Sequence, residues 1–174
     1  AVSADVNSLD FTDKISGFDA IVCAFNAGWD NPNLVQDIKT AYQNILPAVK
    51  KAAVPYFLVI GGAGSLYVAP GLQLVDTSDF PKSVYPAADA VRVLLNELRD
   101  RRDINWAFLS PAAMFSVSPV KFERTGKYRF GTDYVLLNED GSPADITVAD
   151  LACAIADDVE KKAHLFQRFT VAAV

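Results

Sequence analysis

Short apolar runs alternate along this chain with longer stretches in which apolar residues return every three or four positions. AIVCAF at 20–25, YFLVI at 56–60 and NWAFL at 105–109 are rich in strand formers and apolar throughout, which predicts strands buried on both faces. Leu34, Ile38, Ala41, Tyr42, Ile45, Leu46 and Val49 recur at helical spacing and predict a helix over 34–53. Asn31 or Asn33 is its expected cap, Pro32 falls near its first turn, and Pro47 predicts a kink. A second helix is expected over 86–101, with Ala90, Val91, Leu94, Leu95 and Leu98 on one face. A third is expected over 148–162, capped by Thr147, with Asp150 completing a variant capping box. KYRFG and YVLLNEDG read as a hairpin-like pair with a turn at 138–141, and FQRFTVA as a closing strand. The remaining segments, from 61 to past Pro81 and from 110 to 124, read as loops. Strands alternating with helices predict an α/β fold, a doubly wound parallel sheet covered on both faces, as one domain over 1–174.

In such sheets ligands bind beyond the carboxyl ends of the strands. That rule selects residues 26–31, 61–67 and 110–115, each rich in small residues. GGAGS at 61–65 invites comparison with a phosphate cradle, but the dinucleotide fingerprint needs GxGxxG leading straight into a helix. Here the glycines lead into a loop, so the segment reads as a pocket lining, with Ser65 able to place a hydroxyl near a substrate carbonyl. FNAG at 25–28 follows the first strand closely enough for a ribose or pyrophosphate to lie on its backbone, and Trp29 can cover a flat ring. Asp5 and Val6 sit where an adenine could be flanked, a weak signal on spacing alone.

Charge narrows the partners. The 174 residues carry 16 basic and 21 acidic side chains, a net −5 that argues against a nucleic-acid footprint. No apolar run approaches the ~20 residues of a membrane span, and no secretory pattern is read at residues 1–5, so a cytoplasmic location is expected. Cys23 and Cys153 lie in apolar stretches and read as reduced, buried thiols. His164 stands alone as the sole histidine, expected to be solvated, which argues against zinc and against a histidine-based nucleophile. No tyrosine has a lysine four residues on; Tyr85 has Asp89, so a Tyr-Lys proton relay is not supported. Arg124, Lys127 and Arg129 read as a solvated strand edge.

AFNAGWDNPN, VIGGAGSLYV, NWAFLSPAAMF, RTGKYRFG and ITVADLACAIADDVE, in that order, resemble the atypical short-chain dehydrogenase/reductase proteins of the NmrA-like, NAD(P)H-binding kind, among them NADH-flavin reductase-like oxidoreductases. The resemblance covers nearly the whole chain and implies a Rossmann-type fold with a small C-terminal, substrate-side portion. Family members open with a strand and a GxTGxxG-type loop that binds pyrophosphate at a helix N-terminus. That segment is absent here, so the chain resembles a member shortened at its N-terminus. By resemblance, Asp5 and Val6 meet the adenine of NADP or NAD, while Ala24, Phe25, Asn26, Gly28, Gly62, Pro111 and Ala112 line the cofactor. Trp29, Ser65, Tyr67 and Phe115 face the substrate. The implied activity is hydride transfer to a flavin, quinone or similar small acceptor, with no membrane partner and a homodimer allowed. A non-catalytic redox-sensing regulator and a sugar-nucleotide epimerase relative are the alternatives.

Overall fold

Alternation within two of the apolar runs divides the side chains between the two faces of a sheet. In the computed structural model, which describes residues 1–115 and 119–174, the elements come in the order α1 (Phe11–Ile15), β1 (Ile21–Cys23), α2 (Leu34–Lys51), β2 (Phe57–Ile60), β3 (Tyr67–Ala69), β4 (Leu72–Gln73), α3 (Tyr85–Arg99), β5 (Trp106–Pro111), β6 (Tyr128–Gly131), α4 (Val148–Lys161) and β7 (Arg168–Ala173). Five strands form one sheet in the order β1-β2-β5-β7-β6. β2 lies parallel to β5 with Phe57 beside Trp106 and Val59 beside Phe108. These four pack with Ile38, Tyr42, Ile45, Leu46, Val49, Leu94, Leu95 and Leu98 under α2 and α3. Leu58, Ala107 and Leu109 point the other way and join Ile146, Leu151, Ala154, Phe169 and Val171 under α4. Each such fully buried aliphatic or aromatic side chain contributes about 1.5–3 kcal/mol. The protein is therefore a Rossmann-type, doubly wound α/β domain with helices on both faces.

The sheet is not parallel throughout. β6 runs antiparallel to β7 at one edge, with Tyr128 beside Ala173 and Gly131 beside Thr170. The expected hairpin between KYRFG and YVLLNEDG does not form, because β6 takes β7 as its partner. The second segment instead bridges Tyr134 to Tyr67 and Leu137 to Pro143, held by Arg129 Nη2 donating to the Leu137 carbonyl at 2.6 Å. Arg129 thus ties a loop down and is not a free edge charge. The 138–141 turn is present, with Gly141 at φ +80° and its N–H on the Asn138 carbonyl.

Local corrections have plain causes. α2 runs unbroken through Pro47, which sits on the exposed face, so the carbonyl it leaves unpaired is solvated. Asn33 occupies its cap position without a side-chain bond; the Asn31 carboxamide oxygen instead accepts from the Asn33 N–H at 2.9 Å. Thr147 does cap α4, accepting from the Asp150 N–H at 3.1 Å. The Asp150 carboxylate does not close a capping box. It accepts from the Thr125 and Gly126 N–H groups and from Thr125 Oγ1, which holds it below the usual carboxylate range. The 61–81 loop contains a 3-10 turn (Ala63–Ser65), the β3/β4 hairpin and a second 3-10 turn (Leu74–Asp76). Part of the 110–124 loop, residues 116–118, lies outside the described residues.

Two features can be tested by unfolding in urea. A Cβ on Gly61 would overlap the Phe108 ring, whereas one on Gly62 meets nothing within 4 Å. Gly61→Ala is expected to lose about 1–3 kcal/mol of stability, and Gly62→Ala almost none. Ser110 and Thr170 are register partners on β5 and β7, fully buried, with hydroxyls that find no partner among the described residues. Thr170→Val keeps the shape and is expected to stabilise the fold by roughly 1 kcal/mol; a loss would show that the hydroxyl is bonded after all.

Candidate functional site

The carboxyl ends of β1, β2 and β5 lead into loops that enclose a cavity of about 420 Å³, within the usual range of roughly 300–1,000 Å³ for small-molecule sites. The loop after β1 contributes Phe25, Asn26 and Trp29, the end of β2 contributes Ile60 to Gly64, and the end of β5 contributes Pro111 to Ala113 and Phe115. Leu34, Ile38 and Tyr42 of α2 form a further part of the lining, Val84 with Ala87, Ala88 and Val91 of α3 another, and Leu74 and Phe80 complete it. Among the described residues, the lining includes no Asp, Glu, Lys, Arg or His, and its polar side-chain atoms come from Asn26, Trp29 and Tyr42.

Two loops owe their shape to specific residues. Gly28 has φ +95°, a conformation that L side chains avoid, and its N–H donates to Asn26 Oδ1 at 2.7 Å. Asn31 Nδ2 donates to the Ala27 carbonyl and to Asp37 Oδ2, bracing the loop against the start of α2. This fixes the backbone around Trp29, whose side chain remains 67% exposed. In the second loop Gly61 lets the chain cross the Phe108 ring, and Gly64 lets the 3-10 turn press against Ala88 and Val75.

Among the residues singled out from the sequence, Phe25, Asn26, Trp29, Gly62, Pro111, Ala112 and Phe115 come together in this lining. Others do not. Ser65 is buried away from the cavity, its hydroxyl accepting from Arg168 Nη1 at 3.4 Å. Burial disfavours the charge on Arg168 and Asp133 opposes that effect, so nearby oxygens are recruited to this guanidinium. Tyr67 is drawn off by β3: its N–H donates to the Asp133 carbonyl and its ring meets Tyr134 at 5.7 Å. Asp5 forms a turn with the Asn7 N–H, Val6 packs under the α2 and α3 face, and Ala24 and Gly28 stay outside the lining. Leu34, Ile38, Tyr42 and Val91 were read from the sequence as parts of helical stripes, because an apolar stripe looks alike over a sheet and over a pocket.

The remaining polar groups lie elsewhere. His164 is not solvated: its ring stacks on Phe169 at 3.9 Å and Nδ1 lies 2.6 Å from Asp158 Oδ1. Asp158 is buried and also accepts from the Tyr56 hydroxyl at 2.6 Å, which together with burial pushes that phenol's pKa up. Tyr56 stands at the amino end of β2, across the sheet from the cavity. Asp89 is taken by Arg92, so it does not act on Tyr85. A broad surface depression over Glu97 and Asp100–Asp103 holds the ion pairs of Arg101 with Glu97 and Asp103 and of Lys50 with Asp103, and Arg102 donates there to backbone carbonyls. Among the described residues no three His, Cys, Asp or Glu side chains cluster as a metal site, and no helix is long and apolar enough to cross a membrane.

A family model described as NAD(P)H-binding matches residues 1–161. The chain belongs to the NAD(P)H-binding family. It is 39% identical over 161 residues to YwnB of Bacillus subtilis, covering 91% of this chain and 72% of that protein. A "putative NADH-flavin reductase" of Streptococcus pneumoniae superposes with a TM-score of 0.86 at 32% identity, over 99% of this chain and 80% of its own. A "putative epimerase" of Bacteroides thetaiotaomicron gives 0.84 at 39% identity, over 98% and 75%.

Cys23 and Cys153 are free and half-buried. Cys23 Sγ lies 3.5 Å from the Tyr42 hydroxyl, behind the cavity wall. Burial pushes the Cys23 thiol pKa up, and burial with the neighbouring thiol pushes the Tyr42 phenol up. Neither group is ionised near neutral pH. Iodoacetamide at pH 8 is expected to alkylate Cys23 at least tenfold more slowly in the folded protein than in urea, read by peptide mass spectrometry; equal rates would mean an exposed thiolate.

Proposed function

We propose that the protein is an NAD(P)H-dependent oxidoreductase whose cavity holds a nicotinamide ring against a flat acceptor, a flavin, a quinone or a similar molecule. The observation that carries this reading is the cavity's position and lining: strand-end glycine backbone, aromatic edges and no charged side chain. Gly62 leaves open space where any other residue would project a side chain, so a planar ring can lie directly on the main chain. The residues present fit the ring end of the cofactor. The described lining offers no Lys or Arg to its diphosphate, so the contacts read here are those to the ring end.

When bound, the reduced nicotinamide supplies a hydride, and the acceptor takes its remaining proton from solvent. The protein's own part is positional. Pro111, Ala112 and Phe115 exclude water from one side, and Asn26 offers a carboxamide for orienting a polar edge. No general acid is required, which agrees with the missing Tyr-Lys pair. The absence of charged side chains among the described lining residues also suits a second reading, a dinucleotide-binding redox regulator without turnover.

A fluorescence titration with NADH and NADPH tests the reading. Saturable binding is expected with at least one of them. Gly62→Leu, which projects into the open space, is expected to weaken it at least tenfold without moving the urea midpoint. No binding at millimolar dinucleotide would overturn the assignment. Binding without consumption by any acceptor would favour the regulator.

A further inference from the structure

The chemistry of the lining restricts the acceptor more narrowly than its shape does. We propose that the acceptor position takes an uncharged planar ring and rejects acceptors that carry an ionised phosphate. This rests on the oxidoreductase reading of the same cavity.

Three observations converge. First, among the described residues the lining offers no cation: its side-chain polar atoms belong to Asn26, Trp29 and Tyr42. A phosphate drawn into such a site loses its hydration and gains no opposite charge. Second, the guanidinium nearest the lining in sequence is already used. Arg92, which follows the lining residue Val91, is already engaged by Asp76, Asp89 and Gln73 and is not available to a phosphate. Third, the mouth carries a stacking surface. Trp29 is two-thirds exposed, on a backbone fixed by the positive φ of Gly28 and the Asn26 turn. Its indole binds a planar ring through dispersion, a contact that needs no charge on the ligand.

Lumiflavin and FMN share one ring system and differ in the phosphorylated side chain, so they isolate the charge. Each is titrated into the protein by flavin fluorescence polarisation. Lumiflavin is expected to bind at least tenfold more tightly than FMN. Trp29→Ala is expected to weaken lumiflavin at least fivefold with an unchanged urea midpoint. FMN binding as tightly as lumiflavin or more tightly, or neither flavin binding, would overturn the proposal. The dinucleotide titration is independent. If NADH or NADPH binds and FMN is preferred, this inference fails and the oxidoreductase reading survives. If neither dinucleotide binds, the reading fails while the lumiflavin preference is still measured.

Discussion

The pairing of β2 with β5, Phe57 beside Trp106 and Val59 beside Phe108, sets the layout of the whole domain. A slip of one residue would exchange the two faces of β5, placing Trp106 and Phe108 under α4 and Ala107 and Leu109 under α2 and α3. The volumes on the two sides are unequal. The α2 and α3 side accommodates an indole and two phenyl rings from these two strands, while toward α4 the same strands present only Leu58, Ala107 and Leu109. Close packing makes the register unique, because neither layer could absorb the other's side chains.

The same register brings Gly61 over Phe108 and lets β5 run on to Pro111 past the last β2 pair, Ile60 with Leu109, with the cavity at these strand ends. Polar work is kept apart from it. Arg168 with Asp133 and Ser65, and Asp158 with Tyr56 and His164, are satisfied clusters that fasten loops and α4 to the sheet. Asp150 does the same for the 125–126 segment. Each buried charge has partners at hand, as low-dielectric surroundings require. What is left for a ligand is a chamber whose affinity depends on shape, stacking and backbone contacts.

The central strands, the three long helices and the three strand-end loops were legible in the sequence, because apolar runs and helical periodicity report burial directly. Partnership was less legible. KYRFG carries the signature of a strand but says nothing about whether β7 or a later segment will accept it. His164 in KKAHLF looks solvated, since the Asp158 and Phe169 that hold it come from separate elements. Ser65 looked like a ligand contact because the guanidinium that takes it lies 103 positions away. α1, with Phe11 and Ile15 packed beneath α2, is too short for periodicity to reveal. Apart from α1, these differences share one origin: pairing between distant positions leaves no local pattern.

Gly61 and Phe108 also bear on how such a protein can change over generations. One belongs to the mouth of the site and the other to the core, yet they share a single volume. A smaller residue at 108 would free room for a side chain at 61, and a side chain at 61 is tolerated only after that change. The two positions should therefore co-vary among relatives, while Trp29 and Phe115, which face open space or the cavity, are free to drift as the accepted molecule changes. Diversification of what the site accepts can then proceed through its loops without renegotiating the sheet.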